Sequence, residues 1–457
     1  MVALVALDDL FLLIDPLWSG STRPWGRGGL MFAAGYVALA TGVTAVAWRF
    51  AGSRVLRGAV VPLAIIGLAV ALRAALGIAF DAPIYGENRA IHNQALGVLD
   101  GSCCFSHRPM GYPVALAGAY ALFGVGPFAV EMLNLAFAGV TAWLVWSIGR
   151  AGWNVRVGAA AGALYAVMPS QALMVLVPLT EPMFTMLVAA AVRLGMELRR
   201  PSAAVGVGIG VLLAAGQYVR ATAVSMLAPV LALVVMTPGT LAHRVRTGTL
   251  IVAIFGVVML PVVAYNLEAH GDLSVSTSAY GGWTLYVGAN REHDGMWNAE
   301  DAARFAAFPG SSAWEKSEYA GSLVGDRMAE DPDGALRLLP RKFVVMWADE
   351  SYAAAYALAA GPPTRDVHVA WLVSQLLYAP LALLAAIGMV ADRGLWRPAS
   401  LLIGMLVTLV ALSHLVLEVH SRYHAYLVPL LCVLAAAGIG ALVDLRHGRR
   451  DASAVPG

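Results

Sequence analysis

The chain has little charge and almost no lysine. Of its 457 residues only 13% are charged, 59% are hydrophobic, and the mean hydropathy is +0.72. Roughly a quarter of a soluble domain's residues carry charge, so lipid must cover much of a surface this poor in it. Lys316 and Lys342 are the only lysines, and arginine supplies nearly all the positive charge. A formal net charge of +2 gives no reason to expect a nucleic-acid partner. Three cysteines exclude a disulfide framework. Cys432 lies in an apolar run and reads as core, whereas the adjacent Cys103 and Cys104 read as two loop thiols or a strained vicinal disulfide. No Cys/His grouping has zinc-like spacing, and no internal repeat is visible. The N-terminus carries Asp8, Asp9 and Asp15 where a signal peptide has a basic leader, so residues 1–17 read as an interfacial helix.

What is present is a succession of apolar runs. A bilayer core takes about 20 apolar residues of helix. Runs of that kind fall near 30–50, 59–80, 127–149, 156–172, 182–198, 203–219, 222–237, 247–265, 368–390, 398–417 and 425–443. The expected fold is an all-α polytopic membrane protein, a bundle of about eleven transmembrane helices with a small extracytoplasmic insert. Small residues such as Gly206, Gly208 and Gly210 suit close helix packing.

The connecting segments alternate in character. One set is short and basic: Arg54 and Arg57; Arg150; Arg199 and Arg200; Arg244 and Arg246; Arg393 and Arg397; and Arg446, Arg449 and Arg450. The positive-inside rule places this set in the cytoplasm. The other set then lies outside: the N-terminus, 81–126, 173–181, the turn from Gln217 to Arg220, 266–367 and 418–424. Arg23 and Arg27 run mildly against that assignment. The resulting divisions are 1–58 (interfacial helix and an extra span), 59–265 (transmembrane core with the outer loop 81–126), 266–367 (insert), 368–445 (C-terminal spans) and 446–457 (cytoplasmic tail). Within the insert, alternation in Leu273–Ser278 and Trp283–Val287 around Gly281-Gly282 predicts a short hairpin. Helical pieces are expected near 299–307 and 312–330.

Polar residues gather in the outer segments. Asp81 ends the second span, and the segment up to Asp100 carries Ile91, Ala95 and Leu99 at the spacing of a surface helix. His107-Arg108-Pro-Met-Gly-Tyr112-Pro113 forces a tight entry into a second surface helix. Glu181 follows Thr180 at the start of a span; it reads as a first-turn acid favoured by the helix dipole, or as a functional acid on the side of Asp81. Gln217, Tyr218 and Arg220 mark a third outer turn, and Glu418, His420, Arg422, Tyr423 and His424 the last. Arginines there have no positive-inside reason to exist, and arginine suits phosphate. Arg73, inside the second span, is either a further phosphate-gripping group or a packing residue, and needs a partner.

In these segments the sequence resembles the GT-C membrane glycosyltransferases, most closely the bacterial relatives of protein O-mannosyltransferases and of the lipid A aminoarabinose transferase (glycosyltransferase family 39). The resembling pieces are Asp81-Ala-Pro-Ile-Tyr85, Arg108-Pro-Met-Gly-Tyr-Pro113 leading to Tyr120-Ala-Leu-Phe-Gly124, and Leu179-Thr-Glu-Pro182. Tyr218-Val-Arg220, Lys342-Phe-Val-Val-Met-Trp347 and Arg422-Tyr-His-Ala-Tyr-Leu-Val-Pro429 complete the set, which spans roughly residues 59–445. Met110 stands where the family commonly has a second proline, and Ala82 where many members have a second acid.

The resemblance implies a GT-C-type bundle in the plasma membrane with its active site outside the cytoplasm. It implies a polyprenyl-phosphate sugar as donor and a lipid, glycan or protein as acceptor. Asp81 would be the general base, and Arg220 and Arg422, with Arg108, would stabilise the departing lipid phosphate. Glu181 would orient the acceptor or the base, or bind a divalent metal. Tyr85, His107, Tyr112 and His424 would contact substrate. A single base without a second nucleophile implies inversion at the anomeric carbon. A secondary transporter, an O-antigen polymerase or ligase consuming a diphosphate-linked oligosaccharide, and an inactive scaffold are the competing readings.

Overall fold

The computed structural model describes residues 26–51, 59–80, 82, 86–102, 108–199, 202–359, 364–391 and 397–453. The expected interfacial helix at 1–17 and the cysteine pair at 103–104 lie outside these residues. The described residues are helical with turns and short 3-10 segments, and no strand occurs among them. Among the described residues, seven helices are long and apolar enough to cross a membrane: Gly28–Phe50, Val60–Ala79, Pro127–Gly152, Leu241–His270, Arg365–Ala391, Pro398–Val416 and Ser421–Arg446. The pair Val155–Val167 and Pro169–Leu176, bent by 59°, makes an eighth if it is one span.

The expected count of about eleven spans is not confirmed by this measure. The runs near 182–198, 203–219 and 222–237 do form helices, but shorter ones: Glu181–Gly195, Ala203–Val219 and Leu227–Met236. Each is cut short by a local break, at the 3-10 turn Met196–Arg199, at extended Arg220, and at the 3-10 turn Ala221–Met226. Hydropathy alone does not register such breaks.

The last helix forms the axis of the bundle. Much of it, from Val428 to Ala437, is buried, Cys432 completely. It lies directly against Arg365–Ala391 through a reciprocal pair of glycines. A Cβ on Gly388 would fall 2.0 Å from the Leu434 carbonyl oxygen, and one on Gly438 would fall 2.1 Å from that of Leu384. Backbone contact of this kind is how membrane helices gain dispersion energy without a hydrophobic drive.

The bent span explains Arg73. Pro169 has no N–H, so carbonyls at the end of Val155–Val167 lose their helical donors. Arg73, wholly buried, supplies replacements: Nη1 donates to Ala166 O at 3.1 Å and Nη2 to Tyr165 O at 3.3 Å, while Nη1 also donates to Ala69 O on its own helix at 3.0 Å. Its guanidinium also lies 4.7 Å from the Tyr165 ring centroid. The Tyr36 hydroxyl, from the first described helix, donates to Val167 O at 2.9 Å. Beyond the bend, Asn134 Nδ2 donates to the carbonyls of Val175 and Val177 at 3.1 and 3.0 Å. Asn134 itself accepts from the Tyr112 hydroxyl at 3.0 Å. This buried ladder fixes the extended stretch that delivers Thr180 and Glu181.

Residues 271–359 carry six short helices, among them Ala299–Ala307 and Ala313–Ser322 where helical pieces were expected. The expected hairpin is absent. Leu273–Ser278 is irregular, with a bend at Thr277, and its carbonyls go to side chains: Asn266 Nδ2 donates to Ser274 O and Ser276 O, and Gln217 Nε2 to Val275 O. The second proposed strand is the helix Gly281–Gly288, whose Trp283, Tyr286 and Val287 bury one face against Ala320. Apolar residues over so short a run fit either period, and tertiary packing decides. Lys342, fully buried, ties this region to the segment that follows Pro398–Val416 through Nζ donations to Gly288 O at 2.9 Å and Leu417 O at 2.7 Å.

Candidate active site

Four arginine- or acid-bearing segments far apart in sequence meet at one end of the bundle. Glu181, at the first turn of Glu181–Gly195, has a side chain only 3% exposed. Its Oε1 accepts from Arg220 Nη1 at 2.8 Å and lies 3.3 Å from Arg422 Nε. Arg220 owes its position to the end of Ala203–Val219, where it leaves the helix in extended conformation. Arg422 sits on the 3-10 helix Ser421–Leu427, which His420 caps by accepting from the Arg422 backbone N–H at 3.1 Å. Arg422 Nη1 also donates to Glu87 Oε2 at 2.5 Å. Glu87 stands in the first turn of Gly86–Leu99, and its other oxygen lies 3.8 Å from Arg108 Nη1.

Three guanidiniums and two carboxylates thus form one chain: Arg108–Glu87–Arg422–Glu181–Arg220. Burial would push the Glu87 carboxyl up, but Arg422, Arg108 and Arg220 outweigh it and hold the group down at about 2. Glu418, on the adjacent loop, shifts the other way. Burial raises its carboxyl, only partly opposed by the hydrogen bond that Tyr423 donates at 3.1 Å and by Arg422. The rings of Tyr356 and Tyr423 lie 5.0 and 5.8 Å from the Arg422 guanidinium, within cation–π range.

Arg108 is also on the wall of a cavity of about 840 Å³. Val98, Met110, Val114, Val262 and Tyr265 give it an apolar lining, and the stretch Ser276–Ala279 forms one polar margin. The volume falls in the range of small-molecule sites, roughly 300–1,000 Å³. Asn88, one residue from Glu87, is fully buried, and neither its Oδ1 nor its Nδ2 has a hydrogen-bond partner among the described residues.

Of the residues singled out in the sequence, Arg108, Glu181, Arg220 and Arg422 come together. Asp81, Tyr85 and His107 lie outside the described residues. Two others are placed differently from their expected role. Tyr112 is completely buried, and its hydroxyl donates to Asn134, so it supports the bend that carries Glu181. His424 is also completely buried. Its Nδ1 meets Met346 O at 2.5 Å and its Nε2 meets Glu350 Oε1 at 3.1 Å, with the Trp347 and Tyr378 rings alongside. A carbonyl only accepts, so Nδ1 carries a hydrogen, and no ring nitrogen remains for a substrate. Glu87 was missed as a site residue. Its only local signal is an acid in the first turn of a helix.

A metal site at Glu181 finds no support in this geometry, since two guanidiniums already face Oε1. Among the described residues, Glu292, His293 and Glu300 bring three ligand atoms within 4.8 Å of one another, on the exposed side of the 271–359 region.

Comparison with known proteins agrees with this architecture. The profile of the family described as dolichyl-phosphate-mannose-protein mannosyltransferase matches residues 107–265, which include Arg108, Glu181 and Arg220. No curated protein sequence matches the chain. Among solved structures, the archaeal oligosaccharyltransferase AglB from Archaeoglobus fulgidus, in complex with an inhibitory peptide and a dolichol-phosphate, superposes with a TM-score of 0.52 at 14% identity. That match covers 87% of this chain and 52% of AglB, so the chain spans about half the length of the oligosaccharyltransferase. ArnT from Cupriavidus metallidurans bound to undecaprenyl phosphate gives a TM-score of 0.38 at 13% identity, covering 89% of this chain and 78% of ArnT. The likeness to AglB is one of fold alone.

Proposed function

We propose that the chain is a multi-pass glycosyltransferase of the plasma membrane that moves a sugar from a polyprenyl-phosphate carrier to an extracytoplasmic acceptor hydroxyl, with inversion. The observation that carries this reading is the convergence of Arg108, Arg220 and Arg422 beside an apolar cavity with Arg108 on its wall. A lipid-linked phosphate needs both features, a low-dielectric groove for its chain and fixed positive charge for its head. As the sugar leaves, charge builds on the phosphate oxygens. Preorganised guanidiniums stabilise that charge without reorganising, which is the largest contribution available to such a reaction. Arginine suits this task because it stays protonated and presents several donors in a plane.

Asp81 is the proposed base, with Tyr85 and His107 beside the acceptor, on the strength of the family resemblance. Glu181 holds Arg220 and Arg422 in register and touches neither reacting atom. The sugar, hexose or pentose, and the acceptor, whether lipid, glycan or protein, are selected by groups in the outer loops. Secondary transport would place charged groups along a path through the bilayer, whereas the Arg73 Nη groups are spent on backbone carbonyls at the bend.

The test is reconstitution of the full chain in liposomes with a panel of polyprenyl-phosphate sugars and a membrane extract as acceptor source, reading release of free polyprenyl phosphate. Release from at least one donor is expected. No release from any, by protein with a sharp unfolding transition, overturns the reading.

A further inference from the structure

The two carboxylates that share Arg422 are held very differently. Glu181 is 3% exposed and locked between two guanidiniums, with contacts of 2.8 and 3.3 Å to the same oxygen. Glu87 is 32% exposed and reaches across the gap between Arg422 and Arg108, offering Oε2 to one and Oε1 to the other. That is how a phosphate group would sit: one anion, two oxygens, two arginines. Glu87 has its second partner, Arg108, on the cavity wall. With its carboxyl held at about 2, it remains anionic at any physiological pH.

The charge balance fits an exchange. Three guanidiniums against two carboxylates leave a single net positive charge. A phosphodiester in place of the Glu87 carboxylate keeps that balance unchanged. A phosphomonoester, at about −1.5 to −2, would bind the arginines more tightly than the diester it came from. An enzyme relying on three arginines alone would therefore be trapped by its own product.

Taking the glycosyl-transfer reading as its basis, we propose that Glu87 is a resident competitor for the lipid phosphate. It occupies the Arg108–Arg422 gap in the empty site, yields that gap to the donor, and returns to expel the polyprenyl phosphate product. No bond is made or broken at Glu87 itself. Its role is to keep ground-state and product binding weak, so that the arginines act chiefly in the transition state.

The test is Glu87→Gln in the full-length reconstituted chain, which removes the charge and keeps the shape. Binding of polyprenyl phosphate should tighten about tenfold, equivalent to about 1.4 kcal/mol. The donor KM should fall, and kcat under multiple turnover should fall more than the single-turnover rate, because product release becomes slower. Glu87→Asp, which keeps the charge on a shorter arm, should lie between wild type and Glu87→Gln. Unchanged or weaker binding in Glu87→Gln would mean that the carboxylate only orients the arginines, and would overturn the proposal. So would a single-turnover rate that collapses as far as kcat, which would place Glu87 in the chemistry. If the wild-type chain fails to bind polyprenyl phosphate at all, the transfer reading falls. If wild type binds and Glu87→Gln gains nothing, only this proposal falls.

Discussion

Replacing Glu181 by alanine tests the centre of the arginine cluster. The change leaves Arg220 and Arg422, 15% and 10% exposed, pointing at a common point with no anion between them. Breaking a buried pair by removing one partner costs about 3–5 kcal/mol. Here the removed oxygen serves two cations, so the upper part of that range is expected. Glu181→Gln retains an acceptor oxygen for the 2.8 Å bond from Arg220 but not the charge. Charge-assisted bonds are roughly twice as strong as neutral ones, so the glutamine variant should lose about half as much. The measurement is thermal unfolding of the purified protein in detergent, with and without added inorganic phosphate. An anion that fills the gap left in Glu181→Ala raises its midpoint by mass action, and by more than it raises that of wild type. An alanine variant as stable as wild type would refute the reasoning. So would a glutamine variant as unstable as the alanine one, since the charge would then be irrelevant.

Other expectations follow from single features. Arg73→Met preserves the aliphatic stem but strips the donors from Ala166 and Tyr165, and should cost about 2 kcal/mol in unfolding free energy. The donor KM should not change, because Arg73 serves the bend and not the phosphate. Gly438→Ala drives a methyl to 2.1 Å from the Leu384 carbonyl and should destabilise by about 1–3 kcal/mol, read by the unfolding midpoint. Burial, helped by the Arg422 charge, holds the His420 imidazole down at about 4 from an ordinary 6.5. The unfolded chain therefore takes up this proton first on acidification. Stability from His420 is complete above pH about 6.5 and declines as pH falls toward about 4. His420→Gln should flatten the midpoint-against-pH curve across that window.

The sequence was most legible where physics is local. Apolar runs located the helices, and arginines at their ends, such as Arg150 and Arg244, sorted the connections into two sets. Arg220 and Arg422 could be picked out because each is an arginine in a turn with no positive-inside reason to be there, and Arg108 and Glu181 because they fall in segments assigned to the same side. The hidden parts depend on partners distant in the chain. Glu87 meets Arg422 across 335 positions, a separation no local pattern encodes. Tyr112 and His424 read as substrate contacts because a polar side chain beside a site looks the same in sequence as one beneath it. Only the partners, Asn134 and Glu350, tell them apart. The hairpin failed for a related reason. Alternation in Leu273–Ser278 is real, but Asn266 and Gln217 side chains take the place of a neighbouring strand.

The order of the cluster along the chain has a consequence for biogenesis. A ribosome delivers Glu87, Arg108, Glu181 and Arg220 to the membrane well before Arg422, which enters with the final helix. Until that helix threads into the middle of the bundle, the two acids lack the cation that joins them. A half-made protein therefore holds two separate ion pairs, Arg108–Glu87 and Arg220–Glu181, and the continuous cluster forms only when the axis of the bundle closes.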